Sequence, residues 1–128
     1  MTILLDTHAF IWFMNGDKNL SQRVRQEIED IDNRCYLSIA SLWEIAIKTT
    51  LGKLDLKRNF GEIADFLVAN DIEILPITFE HVSQLTKLRY LHHDPFDRLI
   101  ISQGKVEKLT IATKDKKFPK YKVETFWD

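Results

Sequence analysis

The sequence predicts an α/β fold, a three-layer α/β/α domain with a mainly parallel central sheet. Short and almost wholly apolar runs, typical of strands buried on both faces of a parallel sheet, alternate with longer stretches of helical periodicity. A length of 128 residues suits one domain with one core, so we expect a single domain over residues 1–128.

Five segments have the composition of strands. Residues 2–5 form the clearest run, since Ile3, Leu4 and Leu5 are consecutive and apolar. Similar runs occupy residues 35–37, residues 72–75 before Pro76, and residues 109–112, and residues 122–127 are a last candidate. These segments are the expected strands of the sheet.

Five segments between or beside these runs have the pattern of helices. In the first of them, apolar residues recur at helical spacing, with polar residues between them: Leu20, Val24, Ile28 and Ile31. Gly52 follows the second and suits the left-handed residue that often ends a helix. The predicted helices are 20–31, 41–51, 60–68, 79–88 and 95–106.

Composition excludes several classes of protein. With 45% hydrophobic and 29% charged residues, the chain is not disordered, and a net charge of −1 leaves nucleic-acid binding to a local patch. Cys35 is the only cysteine, which rules out an intramolecular disulfide and a thiolate metal cluster. No stretch has the length of a membrane span or the form of a signal peptide, so we expect a cytoplasmic protein without a membrane partner.

Four acidic residues stand at the edges of apolar segments. Asp6 ends the first strand, Glu44 interrupts the apolar run 42–47, Asp97 precedes Leu99-Ile100-Ile101, and Asp115 follows the strand 109–112. A carboxylate in an apolar setting is costly unless a cation or hydrogen bonds neutralise it. Since active sites of open parallel sheets lie beyond the carboxyl ends of the strands, we expect these acids to meet there and to bind Mg²⁺ or Mn²⁺.

Each acid also fits a purely structural role. Ser41-Leu42-Trp43-Glu44 matches a capping box, in which Glu44 bonds back to the helix start. Asp94 fits an N-cap followed by Pro95, with Asp97 in the first turn. Asp6 fits a turn, and Asp115 fits a solvated loop. Capping accounts for two of the four positions and leaves Asp6, at the end of a buried strand, unexplained.

Several other residue types suggest supporting roles. Lys114 beside Asp115 and Arg98 beside Asp97 are candidates to contact phosphate groups. The histidines invite a metal-free acid–base mechanism, but neighbouring side chains such as His92 and His93 diverge, and packing or exposure is the expectation for each histidine. The three tryptophans are expected as core or dimer contacts rather than as platforms for bases: Trp12, Trp43 and Trp127.

Three segments together resemble a known family. Leu4-Leu5-Asp6-Thr7-His8, the stretch from Ser38 to Leu54 and the stretch from His92 to Ile100 are similar to the PIN domain, and more narrowly to the ribonuclease toxins of VapBC-type toxin–antitoxin pairs. Thr113-Lys114-Asp115 and the segment 121–127 fit as well, so the resemblance covers the whole chain.

The resemblance implies an endoribonuclease dependent on Mg²⁺ or Mn²⁺. The acids of the family correspond to Asp6, Glu44, Asp97 and Asp115, with Asp94 as a further possible ligand and Thr113 as a polar helper in substrate binding. The resemblance also implies a homodimer and a small antitoxin whose C-terminal segment lies across the active groove.

The chemistry expected of such a site can be stated independently of the family. Carboxylate-bound divalent cations activate and position a water for in-line attack on phosphorus and stabilise the leaving oxygen. Asp6 and Asp97 are the preferred ligands, with Asp115 completing the set and Glu44 as a second-metal ligand or proton acceptor.

Two rival functions fit less well. A metal-dependent phosphatase would have an acid where His8 stands, and a catalytically silent PIN-like binding module would be expected to have lost one of the acids.

Overall fold

Five parallel strands form one central sheet in the computed structural model, which describes residues 1–128. In the middle strand, Leu5 is paired with Leu37 on one side and with Ala112 on the other. The strands are β1 (Thr2–Leu5), β2 (Arg34–Ser38), β3 (Ile72–Leu75), β4 (Thr110–Ala112) and β5 (Thr125–Phe126), in the order β3-β2-β1-β4-β5. The predicted fold class and parallel sheet are confirmed.

Six helices cover the two faces of this sheet. They are α1 (Thr7–Asn15), α2 (Gln22–Glu29), α3 (Ile39–Thr50), α4 (Glu62–Ala69), α5 (Phe79–Leu85) and α6 (Pro95–Glu107), and a 3₁₀ turn spans Phe118–Tyr121. Successive residues of β1 point to opposite faces. Ile3 and Leu5 join a core with α1, α2 and α4, whereas Leu4 joins a second core with α6 and the 3₁₀ turn. None of these helices is long and apolar enough to cross a membrane.

Helix α1 is absent from the sequence prediction. Its buried residues include Ala9, Phe10, Ile11 and Phe13, so apolar side chains occupy almost every side of the helix and leave no polar stripe. A helix of this kind lacks the amphipathic period by which helices are recognised in a sequence. The proposed turn at Asp6 is therefore wrong, because Asp6 is the N-cap of α1.

Helix α3 begins earlier than predicted. Ser38 is its N-cap and accepts a hydrogen bond from the Ala40 N–H at 3.0 Å, so the helix starts at Ile39. Glu44 consequently lies in the second turn rather than at the third helical position, and the capping box proposed for Ser41 and Glu44 is wrong. The helix ends at Thr50, and Gly52, after the C-cap Leu51, has the predicted left-handed conformation with φ of 69°.

Three other predicted segments are too long. The helix predicted over 79–88 ends at Leu85. Helix α2 starts after the N-cap Ser21 and ends at Glu29, and Ile31 is 94% exposed instead of lying on its buried face. Strand β5 comprises only Thr125–Phe126, because the 3₁₀ turn and a left-handed Lys122, with φ of 60°, precede it. In contrast, α6 starts as predicted, with Asp94 accepting from the N–H groups of Phe96 and Asp97.

Close packing at Gly104 sets the distance between α6 and β4. A Cβ atom at this position would lie 2.7 Å from Cδ1 of Ile111 and 3.2 Å from Cγ2 of Val123. Ile111 is fully buried, so it has little room to move. Because α6 carries Asp97 and β4 leads to Asp115, this contact also fixes the spacing between two of the candidate site residues.

We expect Gly104→Val to lower the free energy of unfolding by about 1–3 kcal/mol through overpacking against Ile111. Gly61→Val is the matched control, because Gly61 has a negative φ and nothing within 4 Å of an added Cβ. It should change stability by no more than about 0.5 kcal/mol. Chemical denaturation of both variants is the measurement, and equal losses would contradict the close contact.

Candidate active site

Three of the four predicted acids line one pocket. Asp6, Asp97 and Asp115 surround a space of about 230 Å³ at the carboxyl ends of β1 and β4, beside the start of α6. The remaining lining residues are His8, Trp12, Lys114 and Phe118. The parallel topology therefore brings these three carboxylates together as the sequence predicts.

Asp6 is both a helix cap and a pocket residue. It is buried, and its Oδ1 accepts a hydrogen bond from the Ala9 N–H at 2.7 Å. Burial raises the pKa of the Asp6 carboxyl, and hydrogen bonds from the Thr113 side chain and the Ala9 N–H partly oppose that rise. Asp6 is thus the N-cap of α1 and also lines the pocket, and Thr113 contacts it directly.

The pKa of Asp97 is strongly raised. Burial, followed by the negative charges of Asp94, Glu44, Asp6 and Asp115, raises its pKa from 3.8 to about 8. Four other carboxylates are thus close enough to disfavour ionisation of Asp97. All the predicted acids converge on this residue.

Glu44 lies behind the pocket and is already bonded through both oxygens. The hydroxyl of Thr7 donates to Oε1 at 2.9 Å, and Nζ of Lys48 donates to Oε2 at 2.7 Å. The Thr7 hydroxyl also lies 2.9 Å from that of Ser41. The bond to Glu44 raises the pKa of Lys48. Thr7, Ser41 and Lys48, for which the sequence predicts no such role, fix this carboxylate in place.

His92 is the site residue that sequence reasoning misses. Its Nδ1 accepts the Asp94 N–H at 3.3 Å, which leaves the proton on Nε2. That Nε2–H faces Oδ2 of Asp97 at 2.9 Å and Oδ2 of Asp115 at 3.1 Å. Its own peptide N–H donates to the Tyr121 hydroxyl at 2.6 Å, which anchors the loop. His92 therefore holds the two carboxylates side by side.

His92 is buried and packs against the Phe118 ring as expected, but the prediction does not include its contacts with Asp97 and Asp115. The reason lies in the loop before α6. Because the side chains of His92 and His93 diverge, only one of the two imidazoles faces the acids. The sequence does not indicate which one. The fold selects His92, whereas the ring of His93 packs against Tyr90 with a centroid distance of 4.7 Å. The Tyr121 hydroxyl, 29 residues away in the sequence, accepts the His92 N–H and helps to orient this loop.

The remaining predicted residues take different places. Asp94 caps α6 and does not line the pocket. Lys114 lines the pocket, with Nζ 6.0 Å from the centre of the Trp12 ring. The Arg98 guanidinium instead donates to the Arg89 carbonyl at 3.0 Å and lies over the ring of Tyr90. Arg98 therefore anchors the loop before α6, and its contact with phosphate stays a prediction.

The donor set fits a hard divalent cation. Asp6, Asp97 and Asp115 offer carboxylate oxygens, the ligands that Mg²⁺ and Mn²⁺ prefer. The Nε2 of His92 and one oxygen each from Asp97 and Asp115 lie within 4.8 Å of one another. His92 bonds one oxygen of each carboxylate, and the other oxygen of Asp115 accepts the Lys117 N–H at 2.8 Å, so of these two only Asp97 keeps an oxygen without a hydrogen bond. The raised pKa of Asp97 marks a concentration of negative charge that a cation would relieve.

Comparison with known proteins agrees with this arrangement. A family model described as the PIN domain matches residues 3–124. The fold is similar to that of VapBC2 from Rickettsia felis, in a structure in which VapBC2 is bound to a DNA fragment from its promoter. The TM-score is 0.76, with 22% identity over 100% of both chains. It is also similar to FitAcB from Neisseria gonorrhoeae, with a TM-score of 0.66 and 23% identity over 97% of this chain and 96% of that one. No curated protein matches the sequence.

A third similar structure is VapBC-1 from nontypeable Haemophilus influenzae. Its TM-score is 0.67, with 18% identity over 98% of this chain and 97% of that one. At such identities the structural likeness establishes the fold, and the family model establishes the family.

We expect Asp97→Asn to stabilise the metal-free protein increasingly as the pH rises. The native state binds the Asp97 proton more tightly than the unfolded chain does, because its pKa is about 8 rather than 3.8. The stabilisation from that proton is complete below the lower value and is lost as the pH rises through the higher one. Thermal melts in EDTA at about pH 5 and about pH 9 measure the difference.

The control for this prediction is Asp32→Asn, which removes an exposed carboxylate outside the pocket. Its melting temperature relative to the parent should vary little between the two pH values. An Asp97→Asn variant less stable than the parent at the higher pH would show that this carboxylate holds the fold together.

Proposed function

The chain belongs to the PIN-domain family, and on that basis we propose that it is a divalent-metal-dependent endoribonuclease, the toxin of a type II toxin–antitoxin pair. The observation that carries the proposal is the convergence of Asp6, Asp97 and Asp115 in one pocket, with the pKa of Asp97 raised to about 8. A cluster of this kind is unfavourable for a structural role alone, and it is suited to Mg²⁺ or Mn²⁺.

Each pocket residue has a distinct task in this proposal. A bound divalent cation supplies an activated water and neutralises the charge that develops on the phosphate. Asp6, Asp97 and Asp115 would hold that cation: Asp97 would use the oxygen that His92 leaves free, and the other two would use oxygens that already accept hydrogen bonds. The Nε2–H of His92 fixes the facing oxygens of Asp97 and Asp115, and Thr113 fixes Asp6.

In this proposal Glu44 acts through the electric field of its carboxylate and through its hydrogen bond with Thr7. Both of its oxygens are bonded, so we assign it to positioning rather than to direct proton transfer. Its hydrogen bond to Thr7 joins α3 to the first residue of α1, directly after Asp6. Binding to a cation and acceptance of a proton both require Glu44 to exchange one of these bonds.

The metal chemistry does not use the 2′-hydroxyl, so the choice of RNA comes from the surface around the pocket. Contacts with 2′-hydroxyls and stacking of unpaired bases are the usual means of selecting RNA. Lys114, on the rim of the pocket, is placed to hold a phosphate of the strand. An unpaired RNA segment is therefore the substrate that we propose.

We expect RNA cleavage to require Mg²⁺ or Mn²⁺ and to fall by orders of magnitude in Asp97→Asn, since loss of this ligand removes activation and positioning of the water. Asp6→Asn and Asp115→Asn should have similar effects, and Glu44→Gln should also impair cleavage. The measurement is the initial rate of cleavage of a labelled RNA, with metal and in EDTA.

Asp94→Asn is the matched control for the ligand variants, because asparagine also caps helices and Asp94 does not line the pocket. Its loss of rate should be much smaller than that of Asp97→Asn. Undiminished cleavage in EDTA would refute a metal nuclease, and equal losses at the two positions would show that the ligands are wrongly assigned.

We also propose that the chain forms a homodimer and is inhibited by a small antitoxin. One face of α3 exposes large apolar side chains: Ile39, Trp43, Ile47 and Leu51. These residues recur every four positions and form a stripe, which supports a symmetric helix-to-helix contact between copies. The negative charge of the pocket supports an antitoxin whose C-terminal segment brings a basic residue to the acids.

Leu51→Glu should shift the protein from dimer to monomer in light scattering at micromolar concentration, because it buries a charge in the α3 contact. Phe79→Glu is the control, since Phe79 is 86% exposed on α5, outside the stripe. A parent protein that is already monomeric, or equal effects of the two variants, would refute the α3 contact.

A further inference from the structure

A second pocket adjoins the candidate active site. It is open, measures about 680 Å³, and is lined by residues that include Lys18, Ser21, Lys116 and Trp127. Lys114 lines both this pocket and the acidic one. The two pockets are therefore adjacent at Lys114.

The charge of the second pocket is opposite to that of the first. Lys18, Lys114 and Lys116 contribute three ammonium groups, and none of them forms a salt bridge or a hydrogen bond with another residue. Asp128 is the only acidic residue in the lining, and Arg23 donates to its carbonyl at 2.8 Å. Three unpaired cations beside a nuclease site suit the phosphates that flank a scissile bond.

Aromatic rings form the boundary between the two pockets. The ring of Trp12 faces the acidic pocket and packs edge-on against Trp127, which lines the second pocket, with centroids 5.9 Å apart. The ring of His8 lies 5.8 Å from Trp12 on the other side. Both tryptophans are only partly buried, which leaves part of each indole open to solvent. Exposed indoles beside lysines are typical of surfaces that bind unpaired bases.

Two contacts hold Trp127 in place. Its carbonyl accepts a hydrogen bond from the hydroxyl of Ser21, the N-cap of α2, and its ring packs against the larger core. These contacts fix the position of Trp127, as stacking of a base on its ring requires. Trp12 and Trp127 pack against the core as expected, and part of each ring also lines a pocket.

We propose that this second pocket binds the nucleotide next to the scissile bond of a single-stranded RNA, with its phosphate at Lys18 and Lys116 and its base against Trp127. The inference rests on the proposed nuclease function and extends it by naming a second binding site. A duplex fits less well, because its bases are not free to stack on Trp127.

The test measures binding of a labelled single-stranded RNA to full-length protein carrying Asp97→Asn, in Mg²⁺, by fluorescence anisotropy over a range of salt concentrations. We expect K18Q/K116Q to weaken binding and to reduce the slope of log affinity against log salt by about 0.7, since the two lysines together neutralise one phosphate of a single strand. The control K53Q/K87Q removes the same charge outside the pocket and should leave the slope unchanged.

Variants of Trp127 test the stacking surface separately. Trp127→Leu should weaken binding at least about fivefold without changing the salt slope, and Trp127→Phe should restore most of the affinity because it keeps a ring. Equal slopes for the two lysine pairs would overturn the proposal, even if Trp127→Leu loses affinity through misfolding.

Two further measurements distinguish failure of the second pocket from failure of the nuclease function and from binding of a protein segment. Mg²⁺-dependent cleavage of the same RNA by the parent protein tests the nuclease function, so cleavage combined with unchanged slopes would refute the second pocket alone. Failure to bind or cleave RNA would refute both proposals. An acidic peptide that binds as tightly as the RNA, and whose binding is lost equally in K18Q/K116Q, would show that the pocket accepts a protein segment instead.

Discussion

Repulsion among carboxylates at the carboxyl edge of the sheet is the constraint on which the site depends. Asp97 is the clearest measure, because the charges of four other acids add to burial in raising its pKa to about 8. The fold offsets this repulsion with local partners. Asp6 caps α1, and Asp97 lies in the first turn of α6, so both carboxylates face the positive end of a helix dipole. His92 bridges Asp97 and Asp115, while Lys48 pairs with Glu44.

These partners neutralise the acids incompletely, since the pKa of Asp97 stays raised, and this affects binding of the proposed metal. A proton on Asp97 near neutral pH competes with a cation for the same oxygens, so cation binding releases that proton. A higher pH therefore weakens the metal-free fold but strengthens cation binding. If the proposed cation binds only the native site, it would stabilise the fold by relieving this repulsion.

The sequence is sufficient to predict the sheet and three of the pocket acids, because each depends on local signals. Buried strands such as Thr2–Leu5 are continuous apolar runs, and the carboxyl-edge rule needs only the order of strands and helices. Helix α1 is not predictable in this way, since it is apolar on nearly every side. The role of His92 is not predictable either, because it depends on a loop anchored by Tyr121 from a distant segment. The bonds that Thr7 and Lys48 make to Glu44 become visible only once α1 and α3 are packed together.

The two pockets separate opposite charges on a chain whose net charge is only −1. Asp115 faces His92 and the other acids, whereas its neighbour Lys114 lies over Trp12 and opens to the second pocket. A polyanion with regularly spaced phosphates can satisfy both environments, with one phosphate at a carboxylate-bound cation and another at the lysines. A basic inhibitor segment can satisfy only the acidic one. Without a cation the acidic pocket repels phosphate and attracts basic groups, and with a cation that preference is reduced or reversed. In the proposed function, occupancy by the metal would therefore determine which kind of partner the acidic pocket favours, and the lysines would favour the nucleic acid in either state.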